Sequence, residues 1–377
     1  MKDILNYFTI GFESLSWQHF VMYGIGILLI YLAIAKKYEP MLLLPIGFGA
    51  ILVNLPLEIV WQHGNTSGIL KILFETGIMT ELFPLLIFIS VGAMIDFRPL
   101  LQRPWMIVFG IVAHGGIFFA GFIAWKVFGF SIPEAASIGV IGAADGPTSI
   151  LVTSKFAQHL MGPITVVAYS YMSLVPIIMP PVIKMLTSKK ERSLRVNPKE
   201  TKIPNWIVIL FPILVSIVVG IIVPVAAPLI GFLMFGNLIK ESGVLEKLTK
   251  TAQNELANVV TLLLGISVGS TMRAGEFLQV QTLLIMLLGL IAFVGDIICG
   301  VLFAKLVNLF RKKNNKINPM LGACGISAFP MASRVVQKMA LEEDNQNFLL
   351  MHAVSANVSG QIGSVLIAGI ILSIVPV

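Results

Sequence analysis

Charged residues are scarce in this chain. Asp, Glu, Lys and Arg together make up 12% of its 377 residues, whereas a soluble domain carries about 25%. Hydrophobic residues make up 56% of the sequence. This composition excludes an ordinary soluble domain, and it predicts a polytopic membrane protein built from apolar helices.

Cysteine is nearly absent as well. Cys299 and Cys324 both lie in apolar stretches, so neither a disulfide framework nor a metal cluster is predicted. The histidines show no metal-ligand spacing, and we expect His114 and His352 to be packed or hydrogen-bonded within membrane spans. No nucleotide-binding loop, nucleophile elbow or zinc-hydrolase motif is present. Residues 1–18 lack the apolar core and cleavage site of a signal peptide.

Positive charge is concentrated in one segment. Seven basic and two acidic residues lie between Lys184 and Lys202, which leaves a net charge of +5 there. The bias of Lys and Arg toward the cytoplasmic side of membrane proteins predicts that this segment is a cytoplasmic loop. No comparable basic patch recurs, so binding of nucleic acid is not expected. The other basic segments assigned to the cytoplasm are 36–37, 98–103, 247–250 and 311–316.

Ten apolar runs are long enough to be candidate membrane spans, for which a helix needs about 20 residues. They are 18–35, 40–58, 82–97, 105–128, 160–183, 204–223, 225–240, 256–272, 280–308 and 347–375. Two further apolar stretches, 133–155 and 317–338, are each interrupted by residues that break a helix.

The two interruptions are similar in kind. Gly142 to Ser149 places a carboxylate, a glycine and a proline inside an apolar run, and Gly325 to Pro330 is followed by Arg334. Unwound backbone inside a membrane is costly unless it lines a polar cavity. Two breaks at matching positions in two halves of a chain therefore point to an ion or substrate site.

The basic segments also predict how these stretches enter the membrane. The span 105–128 leaves the cytoplasm, and the span 160–183 must return to it to reach Lys184. If 133–155 crossed the membrane fully, these assignments would conflict. We therefore expect 133–155 to dip in from the outer side and return, and 317–338 to do the same from the cytoplasm.

Short sequence matches relate the two halves of the chain. Ile89–Gly92 matches Ile266–Gly269 at an offset of 177, and Pro147 and Pro330 are 183 residues apart. Four such matches occur in order with similar offsets, which indicates two related halves.

The predicted fold class is an all-α polytopic membrane protein with two inverted-topology repeats. It would have about 10 spanning helices plus two re-entrant broken-helix hairpins, in an elevator-like transporter architecture. The first repeat is 1–186, a basic cytoplasmic linker is 187–203, and the second, inverted repeat is 204–377.

Asp145 is the strongest candidate for chemistry. A carboxylate in the hydrocarbon zone is costly and usually marks a functional pathway. Burial favours its protonated form and a bound cation favours its ionised form, so it can exchange a proton for a metal ion. The alternatives are an acid paired to a base, or an acid that caps the half-helix beginning at Gly146 and Pro147.

The second break contains the hydroxyl of Ser327 and is followed by the positively charged guanidinium of Arg334. Ser327 could ligate a hard cation, or its hydroxyl could bond back to the helix backbone. Arg334 lies within about two turns of the break and could hold a carboxylate through two hydrogen bonds. Alternatively, the methylene groups of Arg334 lie against apolar surface while its guanidinium reaches the cytoplasmic water.

Four more polar residues are candidates. Asn318 and Asn357 offer amide oxygens to a cation, although an interhelical hydrogen bond would also explain Asn357. Tyr171 could relay a proton or ligate an ion, or it could be a tyrosine with a satisfied hydroxyl. Asp296 is a second acid within a span and ranks lower because no broken helix adjoins it.

Three segments strongly resemble the β subunit of sodium-translocating, biotin-dependent decarboxylases. The segments are Gly142–Ser149, Asn318–Val335 and Ala353–Gly363, and the similarity extends from about Trp17 to the end of the chain. The family includes oxaloacetate, methylmalonyl-CoA, glutaconyl-CoA and malonate decarboxylases.

The resemblance implies a division of labour between subunits. A carboxyltransferase α subunit moves carboxylate to biotin on a biotin carrier protein, so biotin is attached to a partner and not to this chain. The β subunit then decarboxylates carboxybiotin, consumes a proton from the outer side and exports Na⁺. Small membrane accessory subunits, a homotrimer and a location in the bacterial cytoplasmic (inner) membrane are also implied.

The resemblance also implies roles for individual residues. The implied catalytic residues are Asp145, Tyr171, Ser327 and Arg334, with Arg334 binding carboxybiotin. The implied Na⁺ ligands are Asp145, Asn318, Gly322, Ser327 and Asn357.

Two other classes of function stay open on the residues alone. A sodium-coupled carboxylate transporter or a cation/proton antiporter would explain the repeats, the breaks and Asp145. It would not explain the long family motifs around Ser327 and Arg334. A membrane assembly scaffold would leave the buried polar residues without a purpose.

Overall fold

The computed structural model describes residues 10–37, 40–64, 66–196, 202–312 and 315–376. The first half contains α1 (Trp17–Ala35), α2 (Pro40–Val53), α3 (Ile69–Leu73), α4 (Leu82–Met94), α5 (Arg98–Gln102), α6 (Ile107–Ala113), α7 (Gly115–Lys126), α8 (Ile132–Gly139), α9 (Gly146–Phe156) and α10 (Met161–Leu186). The linker carries α11 (Lys189–Arg192), and the second half contains α12 (Asn205–Ile222), α13 (Ala227–Glu241), α14 (Glu246–Thr251), α15 (Ala257–Gly269), α16 (Ala274–Phe277), α17 (Val280–Leu309), α18 (Met331–Glu343) and α19 (Leu350–Ile374). A small antiparallel hairpin pairs β1 (Gln62–His63) with β2 (Thr66–Ser67).

Helices occupy all ten predicted apolar runs, but they differ in length. Within the described residues, five helices are long and apolar enough to cross a membrane: α1, the continuous run Pro104–Lys126, α12, α17 and α19. Two bent pairs, Ile69–Met79 with Leu82–Met94 and Gln158–Met172 with Leu174–Leu186, raise the number to seven. Helices such as α2, with 14 residues, rise only about 21 Å, which is short of a bilayer core of about 30 Å. The count of ten spans therefore stays a prediction.

The helix break predicted in the first half is present. Helix α8 tightens into a 3₁₀ turn at Val140–Ala143 and ends at Ala144, whose φ of +53° is left-handed. Asp145 then adopts extended backbone and caps α9, whose second residue is Pro147. Proline suits this position because the first turn of a helix needs no partner for its N–H.

The second break has a similar construction. A 3₁₀ turn at Pro319–Gly325 is followed by extended backbone at Ile326, and α18 begins at Met331. Both breaks thus leave backbone N–H and C=O groups that a continuous helix would have used.

Both ends of each broken element lie close together. In the first, Glu134 near the start of α8 pairs with His159 just after α9, with 2.8 Å between Oε1 and Nε2. In the second, Asn318 and Asn347 flank the element, and the side-chain amides of both donate to the carbonyl oxygen of Arg192, at 2.7 and 3.2 Å. Each broken element is therefore a hairpin with adjacent ends, and its re-entrant path in the membrane stays a prediction.

The helices pack as two bundles. The frame bundle consists of α1, α2, α4, α12, α13 and α15, and the hairpin bundle consists of α6 to α10 and α17 to α19 with both broken elements. The short helices α5 and α16 connect α4 to α6 and α15 to α17, so each passes from the frame bundle to the hairpin bundle.

The two halves of the chain interlock within the frame bundle. Helix α4 crosses α13 so closely that a Cβ on Gly92 would lie 1.9 Å from the Leu233 carbonyl oxygen, and one on Gly236 would lie 2.0 Å from that of Ile89. Helix α2 crosses α15 through glycines in the same way. Each crossing joins one half of the chain to the other.

Polar contacts repeat the same pattern. The Asn54 amide donates to the Met272 carbonyl at 2.7 Å, and the Asn237 amide donates to the Ile95 carbonyl at 2.9 Å. In the two contacts, Asn54 of the first half corresponds to Asn237 of the second, and Met272 of the second half corresponds to Ile95 of the first. Both asparagines are buried, so each hydrogen bond satisfies groups that water cannot reach.

An ion pair holds each connecting helix to the frame bundle. Glu241 at the end of α13 pairs with Arg98 at the start of α5, at 2.7 Å. Glu58 pairs with Arg273, which precedes α16, at 2.6 Å. These matched contacts are consistent with two related halves, and the inverted orientation of the halves stays a prediction.

The described part of the basic linker is bound to the second hairpin. Arg192 pairs with Glu343 at 2.6 Å, and Arg195 pairs with Asp344 at 2.6 Å. The hydrogen bond from Arg195 lowers the pKa of Asp344 below its ordinary value, so this pair stays ionised at neutral pH. Lys199, one of the seven predicted linker bases, lies outside the described residues.

Candidate functional site

The two helix breaks touch each other. The backbone N–H of Ser327, in the second break, donates to the carbonyl oxygen of Ala143, in the first, at 3.1 Å. Each break leaves backbone groups without a helical partner, and this hydrogen bond satisfies one from each. The carboxylate of the first half and the hydroxyl of the second are thereby brought to one junction.

Asp145 is buried at this junction and surrounded by hydroxyl donors. Thr148 donates to its carboxylate from Oγ1 at 2.6 Å and from its backbone N–H at 3.5 Å, and Ser364 donates from α19 at 2.9 Å. Within the described part of the chain, no basic side chain pairs with it. Of the two structural alternatives, the structure therefore has the helix cap and lacks the ion pair with a base.

Helix α19 supports the second break through three contacts. The Asn357 amide donates to the Ile326 carbonyl at 2.7 Å, the Gln361 amide donates to the Ser327 carbonyl, and the Ser327 hydroxyl donates to the Gly360 carbonyl at 3.0 Å. The amide oxygen of Asn357 is buried, and no hydrogen-bond donor for it lies among the described residues. A buried oxygen without a donor is available to a cation.

A cavity of about 280 Å³ between the two bundles reaches this junction. Asp145, Ser327 and Gln361 line it from the hairpin bundle, together with Tyr169 and Phe329. The frame bundle contributes residues of α2, α4 and α15, most of which are apolar: Met41, Leu42, Ile87, Phe88, Ser90, Val91, Met94, Ala257, Asn258 and Thr261. The site is therefore a cavity with one charged group and several neutral oxygens.

Three residues implied by the resemblance lie elsewhere. Asn318 donates to the carbonyls of Arg192 and Leu194, and its Oδ1 accepts from the Met320 N–H, so its side chain is committed to the linker. Gly322 packs against α17, and Tyr171 donates its hydroxyl to the Met286 carbonyl on the same helix. None of the three lines the cavity, and neither does Asn357. The catalytic role implied for Tyr171 and the sodium-binding roles implied for Asn318, Gly322 and Asn357 stay predictions.

Arg334 lies on the first turn of α18 and is exposed. It lines a separate surface groove with Gln337, Lys338 and Leu341. Among the described residues no acid pairs with it, so its guanidinium is free to bind an anion from outside the chain. A planar guanidinium suits a carboxylate in particular.

Asp296 is buried away from the cavity. It lies on α17 and accepts from the Ile117 N–H at 3.1 Å, near the start of α7. The run Pro104–Lys126 is one continuous span across His114, and the ranking of Asp296 below Asp145 stays a prediction. His114, between α6 and α7, is fully buried and hydrogen-bonded to the Gly110 carbonyl, whereas His352 is buried and packed.

Sequence reasoning missed several residues of the site. On α19, Gln361 follows Asn357 by four residues and Ser364 follows Gln361 by three, so a polar stripe at helical period was the available signal. Thr148 lies three residues after Asp145, which is the ordinary spacing of a capping interaction. Tyr169 was passed over in favour of Tyr171 because the motif alone does not show which tyrosine faces the site.

Long apolar helices and two broken hairpins that meet at a buried carboxylate define an all-helical, multi-pass membrane protein. The amino-acid sequence identifies the family within this class of membrane proteins. The family described as "Na+-transporting oxaloacetate decarboxylase beta subunit" matches residues 18–375, and the chain belongs to this family. It is thus a membrane subunit of a sodium-transporting decarboxylase, and the resemblance seen in the sequence is confirmed.

Individual relatives cover nearly the whole chain. The glutaconyl-CoA decarboxylase subunit beta of Acidaminococcus fermentans is 46% identical, over 97% of this chain and 95% of its own length. The methylmalonyl-CoA decarboxylase subunit beta of Propionigenium modestum is 46% identical, over 99% of both chains. The oxaloacetate decarboxylase beta chain of Klebsiella pneumoniae is 43% identical, over 97% of both. These similar values do not single out one parent substrate.

Proposed function

We propose that this chain decarboxylates carboxybiotin delivered by a biotin carrier, consumes a proton and exports Na⁺. The observation that carries the proposal is the position of Asp145. It is a buried carboxylate at the junction of two helix breaks, and hydroxyls but no basic side chain contact it. Such a group needs a cation or a proton to offset its charge.

The cargo ion is held by oxygens from both halves. Asp145 supplies the charge and Ser327 supplies a hydroxyl, and both line the cavity. Asn357 does not line the cavity, but it holds the Ile326 carbonyl next to Ser327, and its buried amide oxygen is occupied by no donor among the described residues. Sodium is a hard cation that prefers oxygen ligands, in the way established for calcium and magnesium. Because the ligands come from two breaks, a movement of either hairpin changes the affinity of the site.

A proton competes with sodium for Asp145. Protonation removes the only charge among the proposed ligands, so the ion is released when the proton arrives. The tyrosine singled out by the family motif, Tyr171, acts by holding α10 against α17 through its bond to the Met286 carbonyl. Asn318 and Gly322 have a similar role, because they fix the second hairpin to the linker and to α17.

Carboxybiotin docks at Arg334. The guanidinium is exposed, and the helix that carries it begins directly after the second break. Binding of an anionic group to Arg334 therefore acts directly on the hairpin that contains Ser327. The partners that the resemblance implies are a carboxyltransferase α subunit, a biotin carrier protein and small membrane accessory subunits, assembled around a homotrimer in the bacterial inner membrane.

We further propose that the two repeats have inverted topology and that the hairpin bundle moves against the frame bundle. Two similarities between the halves support this arrangement. The bond from Asn54 to the Met272 carbonyl matches that from Asn237 to the Ile95 carbonyl, and the ion pair of Glu58 matches that of Glu241. Moving one charge outward against 100 mV costs about 2.3 kcal/mol, and decarboxylation supplies this work.

Asp145→Asn tests the proposal. In purified complex reconstituted into vesicles, we expect the variant to lose both carboxybiotin decarboxylation and sodium uptake, because an amide cannot exchange a proton for an ion. Glu246→Gln, at an exposed position on α14, is the control and should keep both activities. Normal turnover of Asp145→Asn would refute the role of this residue.

Membership of the family does not favour a stand-alone carrier or antiporter. Purification on avidin distinguishes these functions, because a decarboxylase subunit should co-purify with a biotinylated partner. Sodium flux through the isolated chain, without any such partner, would support the carrier instead.

A further inference from the structure

The wall of the cavity opposite Asp145 carries polar side chains that the proposed site does not use. Helix α15 contributes Asn258 and Thr261 to this wall, and Gln253 lies just before the helix. Helix α15 as a whole is apolar, with the sequence ANVVTLLLGISVG, in which Asn258 and Thr261 are the second and fifth residues. Polar residues in such a helix are costly unless they face a polar space.

Asn258 and Thr261 share one face of α15. Residues three apart on a helix are neighbours on its surface. Asn258 is exposed, Thr261 is partly exposed, and neither side chain has a hydrogen-bond partner among the described residues. Their oxygens are therefore free to contact water or an ion in the cavity.

The backbone just before α15 determines which way the face with Asn258 and Thr261 points. A π-helical segment, Ala252–Leu256, directly precedes α15. Such segments shift the register of the following helix and are frequent at functional sites. The Gln253 amide donates to the Ala93 carbonyl at the end of α4, at 2.6 Å, which fixes the start of α15 beside the cavity.

The cavity opens next to segments assigned to the cytoplasm. Met41 follows the basic pair at 36–37, Met94 precedes Arg98, and Gln253 follows Lys250. Asn258 and Thr261 come next along α15, toward the membrane interior. Their oxygens therefore lie along α15 beyond the cytoplasmic mouth, on the wall that faces Asp145.

We propose that Asn258 and Thr261 form a neutral binding position for sodium on its way from the cytoplasm to Asp145. This inference rests on the proposed sodium site at Asp145. An amide oxygen and a hydroxyl oxygen replace part of the water around a hard cation. Because neither group is charged, the ion is held weakly and passes on to the carboxylate.

The experiment measures sodium-dependent decarboxylation by the complete complex in vesicles. For the double variant Asn258→Ala, Thr261→Val, we expect the KM for Na⁺ to rise about tenfold, which corresponds to about 1.4 kcal/mol, with kcat largely kept. Thr261→Ser retains the oxygen and should keep the KM of the parent protein. Asn254→Ala, one turn earlier on the π segment and outside the cavity lining, is the matched control.

The outcomes separate this inference from the proposed function. If the double variant keeps the parent KM for Na⁺ while Asp145→Asn is inactive, the position on α15 is wrong and the site at Asp145 stands. If Asp145→Asn is active, the proposed function itself fails. Should the double variant not assemble, Asn258→Ala and Thr261→Val are measured singly, and an unchanged KM in both refutes the inference.

Discussion

At the scale of the residue, the neighbours of Asp145 explain how a carboxylate persists inside an apolar bundle. Two hydroxyls and a backbone N–H donate to it, and it caps the N-terminus of α9, where the helix dipole favours negative charge. These contacts stabilise the ionised form without a fixed counter-charge. The site thus keeps its capacity to bind a mobile cation.

Ser364→Ala removes one of these donors. A hydrogen bond to a charged group contributes about 1.5–3 kcal/mol, so we expect the KM for Na⁺ to rise tenfold or more. Ser359→Ala on the same helix is the control, because that hydroxyl bonds to the Ala356 carbonyl at 2.6 Å. Initial rates of sodium uptake measure both. Equal KM values would show that the contact of Ser364 with Asp145 does not matter for binding.

Gly322→Ala tests the close approach of the second broken element to α17. An added Cβ would lie 1.9 Å from the Gly300 carbonyl oxygen, so backbone must move. Overpacking of this kind costs about 1–3 kcal/mol, and we expect a lower unfolding temperature of the purified complex. Gly231→Ala on α13 has open space around the new methyl, so its unfolding temperature should stay at or above that of the parent, because alanine favours a helix interior over glycine. A Gly322→Ala variant as stable as the parent would contradict the packing argument.

Residue-level prediction from the sequence succeeded where one residue's chemistry was sufficient. The carboxylate of Asp145 in an apolar run is visible without a structure. The contact between Asp145 and Ser364 is not, because 219 residues separate them and either could face another helix. That Tyr169 and not Tyr171 lines the cavity is hidden in the sequence for the same reason, since it depends on which face of α10 meets the cavity.

At the scale of the element, two short helices determine how the bundles are joined. Each of α5 and α16 connects one bundle to the other, and an ion pair holds the start of each to the frame bundle. Glu241 is nearly buried in its pair, whereas Arg98 is partly exposed. A partly buried pair contributes more than an exposed one because water screens it less.

A double-mutant cycle on Arg98→Gln and Glu241→Gln measures this anchor. We expect a coupling energy of about 1–3 kcal/mol in the stability of the purified complex, because the two side chains are in direct contact. The exposed pair Lys250 and Glu246 on α14 is the control, with an expected coupling of about 0.3–0.5 kcal/mol. Additive effects of the two substitutions at Arg98 and Glu241 would rule out the anchor.

The elements were predictable to different extents. Hydropathy located all ten apolar runs, and the glycine and proline residues located both breaks. The lengths were not predictable, because apolar residues such as those around Val53 continue past the point where the chain turns. The pairing of Asn54 with Met272 across the two halves also needs the fold.

At the scale of the whole molecule, the two hairpins should open toward opposite sides of the membrane. Cysteines introduced at Phe128 and Gln158 flank the first hairpin, and both should react with a membrane-impermeant maleimide only from outside. Cysteines introduced at Asn315 and Gln346 flank the second hairpin and should react only from the cytoplasm. The parent protein measures the background from Cys299 and Cys324. If the cysteines introduced at Phe128 and Gln158 react from opposite sides, the segment between them crosses the membrane.

The contact between the basic linker and the second hairpin determines where the gene can be divided into two co-expressed parts. Both flanks of the second hairpin are tied to the carbonyls of Arg192 and Leu194, which belong to the N-terminal side of the basic segment. Two co-expressed fragments divided within 197–203 would keep this tether on the first fragment, where it can recruit the second. Fragments divided before Ser188 would place the tether and the hairpin on the same piece, so this contact could not help the fragments to reassociate.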